Sequence, residues 1–173
     1  MMVDDTDRHL HPAESGGGAA QERWHMDTLS KWIQLAGRIA LGAVFLLSAV
    51  GKLSNWGGTA GFAASKGIPE ALLAGATALE LLGALSLLAG FKTRWGVIAL
   101  VVFLVPVTLV FHNFWSVQGP GQQEQIAHFM KNLAIGGGLL IVFATGPGAV
   151  SVDARREKAM LAGRAGVVAR GAA

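Results

Sequence analysis

Cysteine and tyrosine are both missing from this chain of 173 residues. Without a thiol there are no disulfide staples, thiolate metal sites, iron–sulfur clusters or thiol redox steps within the chain. Without a phenol there is no tyrosine proton donor or radical relay. Charge is scarce as well. Only 14% of residues are charged while 52% are hydrophobic, and an average soluble domain is about 25% charged. So apolar a surface belongs in lipid, and the class is an integral membrane protein of one domain. The net charge of +3 reads as basic residues flanking membrane spans rather than as a nucleic-acid footprint. Sustained polar–apolar alternation is also lacking, which argues against membrane strands.

The N-terminal stretch, "MMVDDTDRHLHPAESGGGAAQERWHMDTLS", has no short apolar core followed by a small-residue cleavage site. A secretory signal peptide is therefore not expected, and residues 1–30 read as a disordered cytoplasmic tail. His9 and His11 within it are an isolated pair of potential metal ligands and carry little weight.

Four apolar segments follow, at about 32–53, 70–90, 94–115 and 125–145. Each approaches the roughly 20 residues that cross a bilayer as helix. The fourth sets a puzzle. From Asn132 to Thr145 its apolar run covers fourteen residues, about 21 Å of helix, against a hydrocarbon core of about 30 Å. Basic residues resolve it. Arg23 and Lys31, then Lys92 and Arg94, then Arg155, Arg156 and Lys158 mark one side, with Lys52 and Lys66 on the other. The positive-inside rule puts both termini and the middle loop in the cytoplasm. An even number of spans is then required, so the fourth segment crosses by taking Lys131 with it.

The expected fold is an all-α membrane protein: a four-transmembrane-helix bundle over residues 31–150, with a short interfacial helix in the first outer loop and a basic cytoplasmic tail over 151–173. Pro106 should kink the third span. Gly75, Ala76, Gly83 and Ala84, with Gly136–Gly138, should let helices approach closely.

This topology gathers polar residues towards the outer face. Lys52 closes the first span, and His112 and Asn113 close the third. His128, Lys131 and Asn132 lie in the first turns of the fourth, spaced to share a face. Glu80 sits near the middle of the second span, where a charge costs roughly 2.5–3.5 kcal/mol on the insertion scale. It must be protonated or paired. Lys131 or Lys52 can reach it from the outer side and Arg38 from the inner side. The plainer reading is that Arg38, Lys52 and Lys131 snorkel to the interface, and that Trp56, Trp95, His112 and Trp115 form aromatic belts. Two histidines on different helices at one depth leave a metal or bis-histidine haem open.

"RIALGAVFLLSAVGKL", "GIPEALLAGATALELLGALSLLAGFKTRWG", "FHNFW" and "HFMKNLAIGGGLL", in that order, resemble the DoxX family of small bacterial membrane proteins. The resemblance runs from about Leu35 to Asp153 and implies a four-helix bundle in the bacterial inner membrane. It also implies a link to membrane redox complexes, since the family takes its name from a subunit of a thiosulfate:quinone oxidoreductase. Arg38, Lys52, Glu80, His112, Lys131 and Asn132 fall on the corresponding positions. With no cysteine, any sulfur-handling step belongs to a partner.

Two functions follow as expectations. One is a quinone-associated subunit, with Glu80 handling a proton and Lys52, His112, His128, Lys131 and Asn132 around the ligand. The other is a non-enzymatic scaffold or assembly factor that anchors soluble oxidoreductase partners through the basic tail. Membrane lipid is a partner in either case, the oligomeric state is left open, and transport is disfavoured because no inverted repeat is visible.

Overall fold

The computed structural model describes residues 15–171, with His9 and His11 outside that range. Every element among the described residues is helical. Helix α1 (Ser15–Ser54) leads to the short α2 (Trp56–Ser65), then α3 (Glu70–Ala89), α4 (Thr93–Phe111), a 3-10 turn at Phe114–Ser116, α5 (Pro120–Thr145) and α6 (Val152–Gly171). Four of these are long and apolar enough to cross a membrane: Thr28–Ser54 within α1, α3, α4 with its 3-10 extension, and α5.

The N-terminal tail corrects one expectation. Residues 15–30 are helical and continuous with the first span rather than disordered. At 40 residues, α1 measures about 60 Å, twice the hydrocarbon thickness. Once a span has nucleated a helix, each further residue adds a hydrogen bond at little cost, which extends the helix into the polar flank.

The spans pack in sequence order: α1 on α3, α3 on α4 and α4 on α5, while α1 and α5 touch little. Phe45, Ala84, Leu87, Val97, Leu100 and Leu139 make the core. Small residues bring α3 and α4 together, since a Cβ on Gly83 would lie 2.7 Å from Leu100 Cγ. The glycine triplet of α5 behaves differently from expectation. Gly136 and Gly138 face Leu104 and Leu41, but Gly137 has open space beside it. Only two of the three lie on the packed side of a helix that turns about 100° per residue.

Helix α3 ends at Gly90, whose φ of 65° is the left-handed conformation glycine supplies at helix ends. The Gly90 N–H donates to Leu87 O and the Phe91 N–H to Ser86 O, closing the terminal carbonyls. Trp32 and Trp95 stand exposed towards one end of the bundle and Trp115 towards the other, as amphipathic rings do at the two faces of a bilayer.

Candidate functional site

The polar residues of the spans separate into three groups. The first lies between α1 and α3. Glu80 is completely buried, and its Oε2 accepts from Lys52 Nζ at 2.9 Å. Lys52 also donates to Ser48 Oγ, one turn back, at 2.6 Å, and its ammonium lies 5.3 Å from the centre of the Phe103 ring. The other carboxylate oxygen, Glu80 Oε1, is buried with no hydrogen-bond partner. Lys131 does not contribute to this group: it is exposed, and its Nζ lies 3.0 Å from His128 Nδ1. Lys131 sits on α5, which meets α4 rather than α3, so the Glu80 carboxylate is beyond its reach.

The second group joins α4 to α5. The rings of His112 and His128 stack with centroids 4.9 Å apart. His112 Nδ1 lies 3.0 Å from Gln125 Oε1. His128 is engaged through both ring nitrogens. Nδ1 accepts from Lys131, and Nε2 faces Glu124 Oε1 at 3.7 Å. Below this stack, Asn132 is buried and donates to Thr108 Oγ1 at 3.0 Å, while Thr108 donates to Leu104 O. A bis-histidine haem needs two imidazoles aiming nitrogens at the iron from opposite faces. These rings lie face to face and do not fit it. Among the described residues no three His, Asp or Glu side chains converge as a metal site.

The third group lies at the other end of the bundle and was not anticipated as a group from the sequence. Arg38 is buried and donates from Nη1 to Pro147 O and from Nη2 to Val150 O at 2.8 Å. Its partners are backbone carbonyls of the segment that follows α5, not Glu80. Asp153 then accepts from the Lys92 N–H (2.9 Å), the Thr93 N–H (3.1 Å) and the Thr93 hydroxyl (3.2 Å), capping α4 from another part of the chain. Partial burial alone would push the Asp153 carboxyl up. The hydrogen bonds from Thr93 and Lys92, with the nearby Arg156 charge, outweigh it and hold the group below its ordinary range. Ser151 Oγ accepts from the Ala154 N–H at 3.0 Å and so caps α6. The sequence signals here were the turn residues Gly146-Pro147-Gly148 and the capping serine.

A cavity of about 710 Å³ opens beside the first group, among α1, α2, α3 and α4. Its walls are mostly apolar, from Leu73, Leu79, Phe103 and Val107 among others, with Lys52 and His112 also in the lining. Helix α2 roofs it with Phe62 and Ala63. That roof is held by a Trp56 Nε1–Glu70 Oε1 hydrogen bond of 2.7 Å and by Phe62 against Phe111. Of the six residues expected at the ligand, only Lys52 and His112 line the cavity. Glu80 stands behind Lys52, while His128, Lys131 and Asn132 are on the α5 side.

The DoxX family model matches residues 33–113, and the SURF4 family model matches residues 75–159. Inner membrane protein YphA of Escherichia coli is 31% identical over 123 residues, 70% of this chain and 88% of that protein. Inner membrane protein YqjF of the same organism is 33% identical over 119 residues, 69% and 88% respectively. A Surfeit locus protein 4 homolog from Schizosaccharomyces pombe is 31% identical over 73% of this chain but only 38% of its own length. No solved structure matches. Similarity to two inner membrane proteins over 69–70% of this chain and 88% of each of them, a matching family model and four membrane-length helices make this chain a member of the DoxX family, a multi-pass protein of the inner membrane.

Proposed function

We propose that this protein is the quinone-binding membrane subunit of a redox complex, with the ligand head in the cavity under α2 and both termini in the cytoplasm. The observation that carries the reading is the cavity itself. At about 710 Å³ it falls within the 300–1,000 Å³ typical of small-molecule sites, and its apolar walls with a few polar groups have the usual character of one. The donor set fits a quinone. Lys52 has three N–H donors, of which two meet Ser48 and Glu80, leaving one for a carbonyl oxygen in the cavity. The Glu80 carboxylate, paired to that ammonium through Oε2 and unpartnered at Oε1, is the group this reading assigns to proton handling. A bound quinone would supply two-electron, two-proton chemistry. With no cysteine or tyrosine in the chain, the electrons come from a partner protein.

The test is binding of a photoreactive short-chain benzoquinone to the full chain in lipid nanodiscs. Labelling of cavity residues, reduced at least tenfold by Lys52→Met, supports the site. Labelling equal to that of a lipid-only control removes it. In membranes, Glu80→Gln should abolish quinone-dependent turnover without lowering the protein level.

A scaffold role remains the second reading because of α6. It carries five basic and two acidic residues, and from Arg155 onward its described side chains are exposed. It is nevertheless fixed to the bundle at its start through Ser151 and Asp153. Loss of co-purifying partners on truncation after Glu157, with quinone labelling unchanged, would favour that reading.

A further inference from the structure

Helices α3 and α4 are sealed against each other over one stretch and not over another. Gly83 and Leu100 are buried. A Cβ on Gly83 would lie 2.7 Å from Leu100 Cγ, and one on Gly96 would collide with Ser86. Nothing passes between the helices there. About two turns towards the start of α3 the contact changes. Gly75 lines the cavity and is exposed, and a Cβ on it would meet no atom within 4 Å. Its backbone does not require glycine either, since its φ is not positive. Glycine inside a helix costs stability relative to alanine, so what Gly75 supplies in return is space. Leu72 of α3 and Val102 of α4 also line the cavity, and they are 61% and 57% exposed. Pro106, one turn on from Val102, is a further exposed lining residue. The cavity is backed by Leu73, Thr77 and Phe103, which are buried. Its wall between α3 and α4 is therefore an apolar slot that faces lipid.

Resting on the quinone-site reading, we infer that the hydrocarbon tail of the ligand leaves the cavity through this slot, and that Gly75 keeps the passage open. The ligand is then a polar ring carrying an alkyl chain, drawn sideways from the bilayer. A chain lying in the slot stays in surroundings as apolar as lipid. The ring can enter the cavity without its chain being carried through water, where exposed apolar surface is unfavourable. An exit beneath α2 is less suited to a tail. That roof is fastened by the Trp56–Glu70 hydrogen bond and by Phe62 against Phe111, and beyond it lies the end of the bundle rather than the bilayer interior. A bulky side chain at position 75 would fill the slot and leave the buried back of the cavity as it is. Gly75 is thus a residue that decides whether a tailed ligand is admitted, while a ring without a tail is indifferent to it.

The experiment uses two photoreactive benzoquinones on the full chain in lipid nanodiscs. One carries a diazirine on a tail-less ring, the other carries it part-way along a decyl tail. Crosslinks are mapped by mass spectrometry, and only labelling competed by excess decylubiquinone is counted. In the native chain the tail probe should label α3 and α4 around Leu72 and Val102, and spare the exposed Leu47 of α1 and Leu140 of α5. In Gly75→Phe and in Val102→Trp, tail labelling should fall at least tenfold while the tail-less probe still labels the cavity. Gly75→Ala, whose Cβ enters open space, should stay within about twofold of the native chain. Thermal unfolding checks the fold of each variant. Competed tail labelling on α1, α2 or α5 instead of α3 and α4 overturns the slot and leaves the cavity site standing. Tail labelling that both bulky variants leave unchanged does the same. Equal loss of both probes in folded variants overturns the assignment of Gly75 to the tail. Tail labelling at the slot that decylubiquinone does not compete away marks ordinary bilayer contact and overturns the slot. No competed labelling by either probe overturns the site and the slot together.

Discussion

Lys52 and Glu80 form the one ion pair between spans among the described residues, and its energetics are asymmetric. Removing one partner leaves the other charge in an apolar interior, whereas replacing both by apolar side chains can be nearly neutral. Lys52→Met should therefore destabilise the bundle by about 3–5 kcal/mol. The double variant Lys52→Met with Glu80→Leu should lie much closer to the native chain. Unfolding in detergent across the four members of this cycle gives the coupling directly; additive effects would mean that the 2.9 Å contact does not bind the helices. The requirement for a partner at Glu80 was legible in the sequence, because a carboxylate near mid-membrane cannot remain charged and alone. Which lysine met it was not. Lys52 and Lys131 are both placed at the outer ends of spans, and the choice depends on which helices are neighbours, a tertiary fact with no local signature.

The joint between α5 and α6 shows the same limit at the level of elements. The turn residues Gly146-Pro147-Gly148 carry the helix-ending signal in the sequence. The destination of the Arg38 guanidinium could not be read there, because its acceptors are backbone carbonyls, which every residue possesses. Two predictions belong to this joint. A Cβ on Gly90 would lie 2.6 Å from Ser151 Cβ and 2.8 Å from Arg38 Nη1, at a φ of 65°. Gly90→Ala should thus cost about 1–3 kcal/mol from backbone strain, with crowding in addition, and should lower the unfolding midpoint in detergent. Asp153→Asn should cost about 1 kcal/mol through the weakened cap of α4. The pH dependence has a definite sign. The folded carboxyl titrates below its unfolded value, so its stabilisation is complete above the unfolded value of about 4 and disappears as pH falls through the folded one. The difference in unfolding midpoint between the native chain and Asp153→Asn should be constant near neutrality and shrink in acid. A difference that stayed flat into strong acid would show that the charge on Asp153 does not hold the joint.

For the molecule as a whole, the physical question is which way the bundle lies in its membrane. Class and span number were legible from composition and from the length of the apolar runs, and the fourth span crosses with Lys131 on its exposed surface. Direction rests on the basic residues. Lys92, Arg94, Arg155, Arg156 and Lys158 flank the end of the bundle where Arg38 and Asp153 fasten α6, and cytoplasmic flanks are the basic ones. That same end carries the long N-terminal extension of α1. With that orientation the cavity, α2 and the histidine stack would open towards the periplasmic half. The natural absence of cysteine makes this directly measurable, since any thiol introduced is the only one present. In whole bacterial cells, a membrane-impermeant maleimide should label Gln118→Cys, in the loop before α5, without treatment. Met160→Cys on α6 is 62% exposed in the native residue and should react only after the membrane is permeabilised. The reverse pattern would move the cavity to the cytoplasmic half and place the five positive charges of α6 outside, against the charge asymmetry that orients membrane helices. The proposed soluble redox partner would then have to meet the protein from the other side.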